Sequence, residues 1–219
     1  MNNDTLLRMK DVVFCLLAAK TYDLHLGRLE LQKIVYLADS MGVYLFILSN
    51  KKNHETYKFG PYDKRIQIAI DALAIREFIS YRSTRVVKGN IAYKYSITDK
   101  GMSWAKEIVE KYESFEIRKK IFCGLLYSLR KRSLISKVKA LVYAEPMYVD
   151  AQEHGHHYDL NFLNPNSGHS YLAFIEHYLK NTSSLSIDFT IDMYVDYLNI
   201  RSEMLSTGIS GDDDDFISI

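Results

Sequence analysis

From Leu29 to Arg65 the chain reads LELQKIVYLADSMGVYLFILSNKKNHETYKFGPYDKR, and no other stretch puts as many specific local choices into so few residues. Leu31, Ile34, Val35 and Ala38 recur at i, i+3, i+4 and i+7, which is one face of an α-helix. Gly42 stands where a helix C-terminus favours a residue tolerant of positive φ. Val43 to Leu48 is rich in β-formers and reads as a short strand or as one more helical turn, the strand being favoured. After a polar loop from Ser49 to Thr56 comes the turn Phe59-Gly60-Pro61-Tyr62. Glycine supplies backbone freedom there, and proline lacks an N–H that the first turn of a helix leaves unpaired anyway. The next helix is therefore expected to start from this turn, with Ile66, Ala69, Ile70 and Leu73 on one face.

The flanking segments extend the pattern. Asp4 or Thr5 can cap a first helix that ends near Lys20 and carries Leu6, Met9, Val13, Phe14 and Leu17. Beyond the central stretch, Phe78-Ile-Ser-Tyr-Arg alternates, Lys88-Gly89-Asn90 makes a turn, and Ile91 to Ile97 alternates back, predicting a β-hairpin with a basic tip. Thr98 or Asp99 caps a further helix holding Trp104, Ile108 and Tyr112. A helix, a hairpin and a capped helix opening Thr-Asp-Lys-Gly form the layout of a winged-helix unit. From Ser114 onward the chain reads as helical, with stripes at Ile121, Phe122, Leu125, Leu126 and Leu129 and at Ile135, Val138, Leu141 and Val142. Pro146 is expected to close the second of these helices. Val149 to Ser170 is polar, and two helices follow, one with Leu172, Ile175 and Leu179, the other with Met193, Tyr197, Ile200 and Met204.

The expected fold is thus α+β and mainly helical: N-terminal helices with a winged-helix-like β-hairpin, then a C-terminal helical bundle. The expected units are residues 1–113, a helical region 114–207 packed on them, and an acidic tail 208–219. A length of 219 residues, 47% of them apolar and 25% charged, suits a globular chain with a sizeable core. The 3 Pro and 10 Gly leave little room for long linkers. With 17 Tyr, the chain is rich in side chains that carry a wet hydroxyl on an apolar ring and suit half-buried faces and contact surfaces.

Chemistry is sparse. Cys15 and Cys123 sit in apolar helical runs, so buried thiols are expected and a disulfide framework is excluded by count. No phosphate loop, dinucleotide fingerprint or nucleophile elbow occurs. The run from His154 to His157 has metal-ligand residue types but no closed spacing, so it reads as a polar loop and no metal or cofactor is expected. Asp39 and Asp63 read as ordinary solvated charges. The formal net charge of +1 gives no bulk attraction to nucleic acid. Local basic groups exist: Lys64, Arg65 and Arg76 beyond the turn, Arg82, Arg85 and Lys88 on the hairpin, and Arg118, Lys119, Lys120, Arg130, Lys131 and Arg132 further on. These are the residues a DNA-binding winged helix would use. The polar start MNNDTLLRMKD lacks a signal-peptide core, and no apolar run approaches the length of a membrane span, so a cytoplasmic location without membrane contact is expected.

Leu31-Gln32-Lys33-Ile34-Val35-Tyr36-Leu37-Ala38, followed after a spacer by Lys58-Phe59-Gly60-Pro61-Tyr62, resembles the Panacea antitoxin domain, which includes the SocA-like antitoxins. It is also similar to bacterial proteins of the YwgA type. The resemblance covers roughly residues 5 to 112. Where that group often has a Trp shortly before the turn, this chain has Tyr57-Lys58-Phe59. The resemblance implies a non-catalytic protein that holds a toxin or defence-complex subunit by direct contact. In that case Gln32, Lys33, Tyr36, Phe59, Gly60, Pro61, Tyr62 and Asp63 form or support the contact surface. DNA and a second copy of the chain, in a homodimer, are further candidate partners.

Overall fold

Eight consecutive apolar residues, Val12 to Ala19, leave the first helix with no polar face in its second half, and a helix apolar all round must be enclosed. In the computed structural model, which describes residues 3–44, 54–57, 60–87, 90–153 and 186–207, this helix is the centre of the molecule. α1 (Asn3–Thr21) packs against α2 (Arg28–Tyr44), α3 (Lys64–Ile75), α4 (Asp99–Lys111), α5 (Glu113–Lys131) and the sheet. Val12, Val13, Phe14, Cys15, Leu16, Ala18 and Ala19 are all buried.

The sheet has β1 (Leu26–Gly27), β2 (Ile79–Val87) and β3 (Asn90–Ile97), antiparallel and in the order β1-β3-β2. Ile79 pairs with Ile97, Tyr81 with Tyr95 and Val87 with Asn90, with a register shift between Ser83 and Arg85. Elements therefore run α1-β1-α2-α3-β2-β3, the order of a winged helix. Thr98 caps α4 by accepting a hydrogen bond from Gly101 N (3.1 Å), and its hydroxyl contacts the carbonyls of Glu77 and Phe78. A Cβ at Gly101 would collide with Phe78 O, so the hairpin can hand the chain to α4 this closely only at a glycine.

Tyr112 ends α4 and begins α5. A 3₁₀ turn (Ile135–Lys137), α6 (Val138–Tyr143), α7 (Pro146–Glu153) and α8 (Ile187–Ser206) complete the described chain. α8 packs on α5 and α6. Arg132 holds it there with hydrogen bonds to Asp192 (2.6 Å) and Asp196 (2.6 Å), and these draw the Asp192 carboxyl down to about 2. Both halves of the chain contribute to one apolar core, from Met9 and Ile34 to Leu125 and Tyr194. No helix among the described residues is long and apolar enough to cross a membrane.

Two local expectations are corrected and a third is extended. Gly42 and Val43 lie inside α2, which runs to Tyr44, because the helix is buried without a break from Leu31 to Gly42 and gains more from continuing than from a cap. Pro61 is not in the first turn of α3, whose N-cap is Asp63. The helix of Val138, Leu141 and Val142 does end ahead of Pro146, with Ala144 as its C-cap, and Pro146 also opens α7, the position where its missing N–H is harmless. Residues 45–48, the hairpin residues Lys88 and Gly89, the His154 to His157 run, Leu172 to Leu179 and the acidic tail lie outside the described residues.

Candidate functional site

Four separate segments bring charge into the core beneath the Gly60-Pro61 turn. Arg8 and Asp11 come from α1, Asp39 from α2, His54 and Asp63 from the segment before α3, and Arg118 from α5. All six are no more than 5% exposed. Arg8 is the hub: Nε donates to Asp63 Oδ2 (2.8 Å), Nη1 to Asp11 Oδ2 (2.8 Å) and Nη2 to Asp39 Oδ2 (2.7 Å). Arg118 joins the same carboxylates from the opposite side, with Nε to Asp11 Oδ1 (2.9 Å), Nη1 to Ala38 O (2.7 Å) and Nη2 to Asp39 Oδ1. His54 Nε2 lies 2.9 Å from Asp39 Oδ2. Arg65 closes the set from the rim, its Nε donating to Asp63 Oδ1 (2.9 Å) and its Nη1 reaching Asp4 (3.3 Å).

Three carboxylates, Asp11, Asp39 and Asp63, thus face three guanidiniums, and the cluster balances when the imidazole is neutral. Burial alone would raise the Asp39 carboxyl, but Arg8, Arg118 and His54 outweigh it and hold it well below the usual range. Asp63 is lowered in the same way by Arg8 and Arg65 against its burial. His54 is lowered, because burial penalises its charged form more than Asp39 favours it. Asp39 and Asp63 are therefore not solvated charges, and Arg118 is not part of a surface basic patch. An isolated charge in a core is unaffordable, and here each is matched.

The same cluster fixes a loop. Gln32 makes two hydrogen bonds to the backbone of Asp63, donating from Nε2 to its O and accepting at Oε1 from its N, both 3.0 Å. Glu55 and Tyr62 exchange backbone hydrogen bonds of 3.0 Å, and Gly60 N donates to Tyr57 O (2.9 Å), so these four residues are tied to one another. Gly60 has φ +99°, and a Cβ there would collide with Lys33 Nζ. Tyr36 is fully buried: its hydroxyl donates to Glu145 Oε2 (2.6 Å), and its ring meets His54 and Tyr148 edge-on. Glu145 also accepts from Tyr148 N (3.0 Å), which ties α2 to the α6–α7 corner.

Among its described residues the loop shows Glu55 and Tyr57 to solvent. Tyr57 is 54% exposed, and its ring lies 5.5 Å from that of the half-buried Tyr62. Gln32, Lys33, Tyr36, Gly60, Pro61 and Asp63 are all buried, so they can serve a contact only by supporting it. Phe59 lies outside the described residues. Of the basic residues, Lys64 and Arg82 are exposed on α3 and β2, while Arg65 is engaged by two carboxylates. Arg85 is placed in β2 by its backbone alone, and Lys88 lies outside the described residues.

Arg8, Asp11, His54 and Glu145 were not singled out by sequence. One signal was present: Arg8 and Asp11 stand at i, i+3 just as α1 turns apolar, where unpaired charges would be costly. Neither cysteine is activated, since burial pushes both the Cys15 and the Cys123 thiol up. Among the described residues no group of three His, Cys, Asp or Glu is placed to hold a metal ion. Compared with protein-family models and with curated protein sequences, the chain matches none.

Proposed function

We propose that this chain is a non-catalytic, antitoxin-like protein of the cytoplasm, encoded in a toxin–antitoxin or phage-defence locus, that acts by binding a partner protein directly. One observation carries the reading: the exposed Tyr57 and its neighbour Tyr62 stand on a loop that is closed by the Glu55–Tyr62 bridge and anchored on a buried ionic cluster. Tyrosines on a pre-ordered loop bring apolar area and a hydroxyl to an interface at little entropic cost. The partner is a toxin or a defence-complex subunit, and the Panacea-like phrases of α2 and the turn are the scaffold of that contact rather than its surface.

The test is neutralisation. A partner recovered with the wild-type chain should stop growth when expressed alone, and co-expression of the wild-type chain should restore growth. Tyr57→Ala, at an exposed position, should keep the fold by circular dichroism and lose neutralisation. A Tyr57→Ala chain that neutralises as well as wild type removes the loop from the contact.

The winged-helix order of elements favours a second reading, a DNA-binding regulator, with Arg82, Arg85 and Lys88 of the hairpin and Lys64 and Arg65 of α3 on phosphates. The exposed face of α3 argues against a helix in the groove: it carries Ile68, Asp71 and Ile75 beside Lys64, and Arg65 is already paired. Such binding must weaken as salt rises, so DNA affinity indifferent to salt ends this reading. A homodimer is compatible with either role and is read by sedimentation.

A further inference from the structure

The end of α1, the middle of α5 and the first turns of α8 border a cavity of about 530 Å³. Three aromatic rings line it: Tyr22 just past α1, Tyr127 on α5 and Phe189 on α8. The rings of Tyr22 and Tyr127 lie 5.8 Å apart and are tilted by 50°. Two carboxylates, Asp188 and Asp192, share the lining, which holds no lysine, arginine or histidine. Asp192 is already engaged, because Ser128 Oγ and Arg132 Nη1 both donate to its Oδ1. Asp188 is exposed, and no donor among the described residues reaches its carboxylate. Two lysines outside the lining, Lys119 and Lys131, sit by Glu116 (3.8 Å) and Asp192 (3.9 Å) instead. The positive end of α8, which would oppose a cation, is capped by Ser186 Oγ accepting from Phe189 N (3.2 Å). Burial raises the Tyr22 hydroxyl and the Cys123 thiol, and the Asp188 carboxylate adds to the rise of both, so its charge is felt across the cavity.

Ring faces attract cations, most where water is displaced, and a carboxylate beside them accepts a charged hydrogen bond. The same lining repels an anion. We propose that this cavity binds a small free organic cation, a protonated alkylamine. Its ammonium donates to Asp188 among the rings of Tyr22, Tyr127 and Phe189, and its apolar chain lies over Cys123 and Gly124. The volume is that of a small-molecule site. Tyr57 and Tyr62 do not line the cavity, so the site stands apart from the partner-binding loop.

The test is an NMR titration of the full chain at pH 7 with hexylamine, hexan-1-ol and hexanoate, followed by hexylamine with Asp188→Asn and with Tyr127→Leu. Hexylamine, protonated at this pH, should give saturable shifts at Tyr22, Gly124 and Asp188. Hexan-1-ol, its neutral counterpart, should bind about tenfold more weakly, Asp188→Asn should weaken hexylamine about tenfold, and hexanoate should not bind. Tyr127→Leu keeps an apolar side chain but removes the ring, and should weaken hexylamine about threefold. Both positions are exposed, so these variants keep the fold. Hexan-1-ol binding as tightly as hexylamine, or Asp188→Asn binding hexylamine like wild type, overturns the proposal and leaves an apolar groove. No saturable shift with hexylamine overturns it too. If N-acetyl-lysine methylamide then binds in its place, the site belongs to a lysine side chain of another protein.

Discussion

Lys33 carries its charge on a long apolar stem into a place where water is scarce. Burial first and Lys139 second depress its ammonium from the usual 10.5 to about 8. Removing the second cause should move the value back up, so Lys139→Met is expected to raise the Lys33 titration, read from its ¹⁵Nζ shift. Linkage sets the sign for stability. The unfolded chain binds the proton more tightly than the folded one between about 8 and 10.5, so wild-type stability should rise with pH across that window relative to Lys33→Met. His54 gives the acid side. Its folded value lies below 6.5, so stability should be full above pH 6.5 and fall as the unfolded chain takes up a proton below it. Asp39 and Asp63 add a second loss below their usual 3.8, as pH falls through their depressed folded values. Urea titrations between pH 7 and 5 should show the first fall in wild type and its absence in His54→Gln. An equal slope in both would clear His54 of the effect.

At the scale of elements, His54 to Tyr57 and Gly60 to Asp63 show how the two sides of a turn become a fixed part. Its two ends are tied by the Glu55–Tyr62 bridge, its exit by the Gln32–Asp63 pair, and Asp63 also caps α3 by accepting from Arg65 N (2.8 Å). Between them Gly60 holds φ +99°, a conformation that side-chain-bearing residues rarely adopt, beside the Lys33 ammonium. Gly60→Ala should therefore destabilise the protein by about 1–3 kcal/mol, the usual range for local backbone strain, measured by urea unfolding. A loss near zero would mean that the loop can relax at no cost and is not the rigid platform argued above. The hairpin and α4 follow a simpler rule. Alternation predicts β2 and β3, and the Thr-Asp-Lys-Gly phrase predicts the cap and the close crossing, because both depend on residues adjacent in sequence.

For the whole molecule, α5 matters more than its place after Tyr112 suggests. It lies on α1 and α2, and Arg118 bridges Asp11 and Asp39, carboxylates of two different helices in the first half. The expected units at 1–113 and 114–207 thus share one ionic cluster as well as one apolar core. Removing one partner from a buried pair leaves the other charge uncompensated. Arg118→Met should therefore cost about 3–5 kcal/mol, seen as a lower urea midpoint with a single transition for both halves. Two separate transitions in wild type would show instead that the halves fold independently.

The sequence by itself determined the kinds of element and most of their order. Helical periodicity places α2, α3, α5 and α8, alternation places the hairpin, and Thr98 marks the start of α4, all from spacings within a few residues. It also marked residues 32–36 and 59–63 as special without saying why. What only the tertiary structure decided is what those residues do. Gln32 binds a backbone 31 residues away, Tyr36 a carboxylate 109 residues away, and Asp39 two guanidiniums from different helices. A lone aspartate in a sequence looks the same whether it meets water or two arginines. The difference lies in which segments the core brings together, and no local pattern encodes that.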